Sequence, residues 1–166
     1  MALFKRKATQ IDLSVAIFEF IRRAKFRDTA LSILPKDTPK PILHKFVRAE
    51  IYLVLVSTIN FYPDKSLTIA GLIRLIYEEL YKQEFPSYEK FRAFFDEDFQ
   101  EFERMLHFGE RTGNGMLYGI SKWVYDEPRG NIDLVGQVQI TPHLFAVYDQ
   151  ISKTHKENQG RFKIVV

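Results

Sequence analysis

The stretch SYEKFRAFFDEDFQEFERMLHF, residues 87–108, decides how this chain reads. Pro86 interrupts the chain just before it, and Ser87 has the short polar side chain that accepts a hydrogen bond from a free amide at a helix start. At about 100° per residue, Phe91, Phe95, Phe99, Phe102 and Leu106 fall within an arc of about 80°. A single helix from Tyr88 to about Phe108 therefore carries one phenylalanine ridge, and a ridge at this spacing belongs in a core. Its other side is acidic, with Glu89, Asp96, Glu97 and Glu101 against Lys90 and Arg104.

Upstream, Ser66 or Thr68 begins a helix to about Lys82, with Leu72, Ile73, Ile76 and Leu80 inward and Glu78 and Glu79 towards water. Pro41 to Phe61 reads as a further helix that starts with proline and stops ahead of Pro63. Its later half, Ile51 to Ile59, is rich in β-branched residues, so a buried strand is the alternative, and either is core. Pro35, Pro39 and Pro41 separate this part from a helix over about Gln10 to Lys25, whose Leu13, Ile17, Phe20, Ile21 and Ala24 form one apolar stripe. Lys5, Arg6 and Lys7 precede the stripe, and Arg22, Arg23, Lys25 and Arg27 follow it. Residues 1–34 thus make a basic amphipathic arm ahead of a helical domain over 41–166.

Downstream, Gly109, Gly113, Gly115 and Gly119 end the long helix in a turn. They follow a helix and lack Gly-Lys-Ser/Thr, so they are not a phosphate-binding loop. Met116 to Tyr125 and Ile132 to Ile140 are expected to pair as strands around a type I turn at Pro128-Arg129-Gly130, a β-hairpin at about 116–140. In the second strand Ile132, Leu134, Val138 and Ile140 alternate with Asp133, Gln137 and Gln139. Thr141 and Pro142 then begin a last helix bearing Leu144, Val147, Tyr148 and Ile151, with Gly160 as its stop, and Arg161 to Val166 adds a closing strand. The expected class is α+β: a mainly helical domain of four to five helices with a carboxy-terminal hairpin. The element order is that of a winged helix-turn-helix domain.

The chemistry excluded is broader than the chemistry indicated. With no cysteine among 166 residues, disulfides, thiolate catalysis, iron–sulfur clusters and cysteine–zinc sites are ruled out. No apolar run reaches the roughly 20 residues of a membrane-spanning helix, and Asp12 and Glu19 interrupt any secretory leader, so the expectation is a cytoplasmic protein. Net charge is +3, but residues 1–48 hold eleven Lys/Arg against four Asp/Glu, residues 49–110 six against twelve, and residues 111–166 seven against five. A basic end and an acidic middle suit contact between copies or with a protein partner. Nucleic acid is possible but not favoured, because the helix that would enter a groove is acidic.

No cofactor motif is present. Asp96, Glu103 and His107 share one edge of the long helix, the nearest approach to a polar site, although a Glu103–His107 pair across one turn accounts for that edge without any ligand. Lys122 and Trp123, with Arg129 at the turn, give the hairpin its basic and aromatic character, with Trp123 and Tyr125 on one strand face and Tyr118 on the other. Arg22, Arg23, Lys25, Arg27, Lys122, Trp123 and Arg129 are therefore the candidate interaction residues. The functional expectation is a non-catalytic protein-interaction or self-assembly module, with a winged-helix-like DNA-binding regulator as the alternative.

Overall fold

The computed structural model describes residues 6–125 and 134–165, and its architecture is mainly helical. Strand β1 (Arg6–Thr9) leads directly into α1 (Gln10–Ala24), which is followed by α2 (Phe26–Ile33), α3 (Lys40–Phe61) and α4 (Ser66–Ile76). α4 continues as a π-helical turn, Tyr77–Tyr81, before α5 (Tyr88–Arg111), α6 (Met116–Tyr125), α7 (Leu134–Arg161) and strand β2 (Phe162–Val165). β1 and β2 pair in parallel, Arg6 opposite Phe162 and Thr9 opposite Val165, so the two ends of the described chain are hydrogen-bonded together.

Local sequence explains the starts of these elements. Thr9 caps α1 by accepting from the Asp12 amide, and the Asp12 carboxylate accepts from the Thr9 amide at 2.8 Å, a reciprocal capping box. Ser87 caps α5 by accepting from the Lys90 amide, as the sequence leads one to expect. Lys65 precedes α4 without a side-chain cap, so neither Ser66 nor Thr68 has that role. α3 is helical throughout, including residues 51–59, and Ile51 to Leu55 are all buried. The stripe of α1 (Leu13, Ile17, Ile21) is buried, and Ser14 seats α1 on α4 by donating to the Thr68 carbonyl at 2.8 Å.

On α5, Phe91, Phe95, Phe102 and Leu106 are buried and Phe99 is half-buried, which makes the ridge the middle of the core. Tyr52 of α3 meets it edge-on, with ring centroids 5.2 Å from those of Phe95, Phe99 and Phe102. The π-turn closes the other end, Tyr77 and Tyr81 lying 5.2 and 5.4 Å from Phe91. The wider turn also shifts the helical phase. Leu72, Ile73 and Ile76 point inward as expected, but Leu80 is rotated out to 41 % exposure.

The expected hairpin at about 116–140 is absent: its described parts are the helix α6 and the first turns of α7. Two physical causes are visible. Gly119 lies against α5 so closely that a Cβ there would run into the Met105 carbonyl, and one at Gly109 would stand 2.7 Å from the Gly119 amide nitrogen. Gly109 and Gly119 form a close helix crossing, whereas Gly113 and Gly115, both at positive φ, make the turn between α5 and α6 that the sequence predicts. In the first three turns of α7 the buried residues are Gly136, Gln137, Ile140 and Leu144, a helical spacing, whereas Val138, expected inside, is 74 % exposed. α7 also runs through Pro142 and Gly160, both expected at its limits. Pro142 removes one amide whose partner would be the Val138 carbonyl, and both residues lie at the surface where water can take that bond. The turn at 128–130, including Arg129, lies outside the described residues. The strands that do form are parallel.

Candidate binding cleft

The α1–α2 corner, the first half of α3 and the π-turn enclose a cleft of about 440 Å³. Both backbone irregularities of this region border it. Lys25, the one non-glycine residue with positive φ among the described residues (φ 48°), forms the corner, and Glu79, Leu80 and Tyr81 of the π-turn form the opposite wall. Left-handed backbone and π-turns cost stability relative to regular helix and concentrate at functional sites. Ile21, Phe26, Leu43, Val47 and Ile51 give the cleft an apolar floor. Arg22, Lys25 and Arg27, with Asp28 among them, stand on one side, and Glu79 and Glu84 on the other.

Arg48 lies at its base, with Tyr81 on the π-turn wall. The Arg48 Nε donates to Asp98 Oδ2 at 2.6 Å, and the Tyr52 hydroxyl donates to the same oxygen at 2.7 Å. This ion pair is mostly covered, at 16 and 15 % exposure, and the guanidinium lies over the rings of Phe94 and Trp123 at 5.4 and 5.9 Å. Burial, and then the Asp98 charge, pushes the Tyr52 phenol well up. Burial pushes Tyr81 up to about 12, with Glu84 and Asp98 adding to the shift and Arg48 opposing it. Both phenols stay protonated near neutral pH, so they are hydrogen-bond donors and not bases.

The sequence-derived candidates are scattered by this fold. Arg22, Lys25 and Arg27 line the cleft, but Arg23 does not, and both Arg22 and Arg23 pair with Glu19. Trp123 is 3 % exposed and packs on Phe102 at 5.5 Å between ring centroids, so it is a core residue. Lys122 covers the Phe108 ring at 5.3 Å. Because residues 116–125 are helical, Tyr118 and Tyr125 share a side two turns apart, and Trp123 does not share one with Tyr125 as it would on a strand. The polar edge of α5 does not converge: Asp96 pairs with Arg92 at 2.9 Å, and His107 pairs with Glu110 at 3.1 Å instead of Glu103, which lies equally within one turn. No group of three potential metal ligands occurs among the described residues. Sequence reasoning missed Arg48, Asp98, Glu79, Glu84 and Tyr81, since only the fold brings these distant positions together.

α6 and α7 flank a groove of about 560 Å³ lined by Met116, Leu117, Tyr118, Val138, Phe145 and Tyr148 and by uncharged polar residues. The buried α3–α7 interface is unusually polar. Ser57 and Ser152 hydroxyls lie 3.3 Å apart, and Thr58 Oγ1 lies 3.2 Å from His155 Nε2. One helical face back along α3 is Glu50, fully buried, with neither carboxyl oxygen hydrogen-bonded. Burial alone pushes Glu50 up to about 8 and His155 down to about 4. No family model, curated protein or solved structure matches the chain.

Proposed function

We propose that the protein is a non-catalytic interaction module and that what it meets through the α6–α7 groove is a second copy of itself. The observation that carries this reading is Phe145, 59 % exposed, one helical face from Val138, 74 % exposed, beside a groove whose lining, among the described residues, holds no Lys, Arg, Asp or Glu. In a two-fold contact each surface meets its own copy, so a charged patch would set like charges against each other near the axis. This patch carries none, and it supplies both a ridge (Val138, Phe145) and a wall (Met116, Leu117, Tyr118) that can exchange across such an axis.

The non-catalytic half rests on where the candidate chemistry sits. The hydroxyl–imidazole pair of Thr58 and His155 is sealed in the core, with both residues at 0 % exposure. The DNA-binding alternative depended on a hairpin wing at 116–140, and the described residues there are helical. Light scattering over a concentration series tests the reading. The wild type should pass from monomer to dimer as concentration rises, and Phe145→Lys should remain monomeric. A wild type that scatters as a monomer throughout would overturn it, and retention of random duplex DNA at low salt would favour the alternative.

A further inference from the structure

We propose that the cleft between the α1–α2 corner and the π-turn is a binding site for a small zwitterion with an apolar side chain, a free aromatic or branched amino acid or a short peptide. The site is separate from the α6–α7 groove and does not depend on self-association. Its volume of about 440 Å³ falls in the range of small-molecule pockets, roughly 300 to 1,000 Å³.

Three features choose the ligand's chemistry. Floor and π-turn wall together leave apolar surface uncovered: Val47 and Leu43 of the floor are only half-buried and Leu80 of the wall is 41 % exposed, which suits one hydrophobic side chain. The walls have opposite sign. With Arg22 already paired to Glu19, Lys25 and Arg27 still outnumber Asp28 on the first wall, and Glu79 and Glu84 form the second. The two walls act on each other, since the charged form of Arg22 is favoured first by Glu19 on its own helix and additionally by Glu79 on the other wall. Finally, the base offers no net charge, because the Arg48 guanidinium is held by Asp98. A lone anion in this cleft meets Glu79 and Glu84, and a lone cation meets Lys25 and Arg27. A ligand carrying a carboxylate and an ammonium group on either side of an apolar body meets both walls favourably. The left-handed Lys25 and the π-turn set the two walls in place.

Isothermal titration of the full chain with L-phenylalanine, N-acetyl-phenylalanine and phenylalanine amide decides the matter, because the three share one side chain and each blocked analogue lacks one of the two charges. The free amino acid should bind roughly two- to fivefold more tightly than either blocked analogue, the scale of one partly screened charge contact. A Phe-Leu dipeptide separates the two sources: tighter binding than phenylalanine identifies a peptide ligand, weaker binding a free amino acid. Glu79→Gln with Glu84→Gln should abolish the advantage over N-acetyl-phenylalanine, and Lys25→Asn with Arg27→Gln the advantage over the amide. Leu80→Arg, at an already exposed position, should block all of them. The inference is overturned if none of the compounds binds, if N-acetyl-phenylalanine or the amide binds as well as phenylalanine, or if Leu80→Arg leaves binding unchanged.

Discussion

Replacing Glu50 by glutamine asks whether the centre of this molecule holds a carboxylic acid or a carboxylate. Glu50 is fully buried on α3 with both side-chain oxygens unpaired, and burial raises its carboxyl to about 8 from an ordinary 4.5. Below pH 4.5 the group is protonated in folded and unfolded chains alike, and the full stability is present. Between that value and about 8 the folded chain holds one proton more than the unfolded chain, so stability falls by about 1.4 kcal/mol per pH unit. The accumulated loss is about 3 kcal/mol at neutral pH and about 5 kcal/mol in mild alkali, where it levels off. Glutamine cannot ionise, so Glu50→Gln removes this dependence. The sole tryptophan, Trp123, is buried against Phe102 and reports unfolding by fluorescence. In urea titrations from about pH 5 to about pH 9, the stability of the variant relative to wild type should grow by about 1.4 kcal/mol per pH unit until it levels off near the Glu50 titration. Parallel stability curves for the two proteins would refute the argument.

His155 provides the acid counterpart. Its pKa is lowered to about 4 from 6.5, so its stabilisation is complete above the higher value and falls as pH drops through the lower one, by about 3 kcal/mol in all; His155→Gln should flatten the acid limb of the same urea series. Gly119→Ala drives a methyl group into the Met105 carbonyl and should destabilise by about 3 kcal/mol or abolish folding, whereas Gly160→Ala, with open space around it, should be neutral or stabilising in thermal melts. Arg48→Met leaves the Asp98 carboxylate covered without its cation and should cost about 3 kcal/mol, and adding Asp98→Leu should recover only part of that loss because the buried Tyr52 hydroxyl then lacks its acceptor, a double-mutant cycle read by urea unfolding.

The helices with strong periodicity were legible because one force shaped them. The α5 ridge and the α1 stripe bury apolar side chains at helical spacing, and that spacing is written directly in the residues. The error at 116–140 arose where backbone contact replaced side-chain patterning. Gly119 is needed for its missing Cβ against α5, a demand visible only when both helices are placed. Gln137 is buried at 4 % although its polarity suggested an outward position, and Val138 is the reverse, so polarity misreported the faces of α7. The cleft was half legible. Arg22, Lys25 and Arg27 stand out as a local cluster, but Glu79 and Glu84 acquire their meaning from the π-turn, whose phase shift no periodicity count over residues 66–82 reveals.

The contrast between the two long-range helix contacts explains why a buried acid is tolerated on α3. α5 and α6 are fixed by close backbone approach at Gly109 and Gly119, which permits one register without any polar group. Among the glycines whose surroundings are described, none seats α7 on α3 in this way, and apolar side chains alone permit sliding by a turn. Its polar contacts do not: Ser57 to Ser152, Thr58 to His155, and Gln159 Nε2 donating to the Phe61 carbonyl at 2.9 Å advance together along the two helices and fix them parallel in one register. Any slip would take the partners from the buried Ser57 hydroxyl and the His155 Nε2, at about 1–3 kcal/mol each. Glu50 stands on the same face of α3 as Ser57, two turns earlier, where no side chain of the seam reaches it. It is therefore the one member that costs stability without fixing register, and neutralising it should leave α7 in place while hydrogen exchange across the α3–α7 interface slows. Loss of exchange protection in α7 on Glu50→Gln would mean that the acid itself, and not the hydroxyl and imidazole contacts, holds the helix.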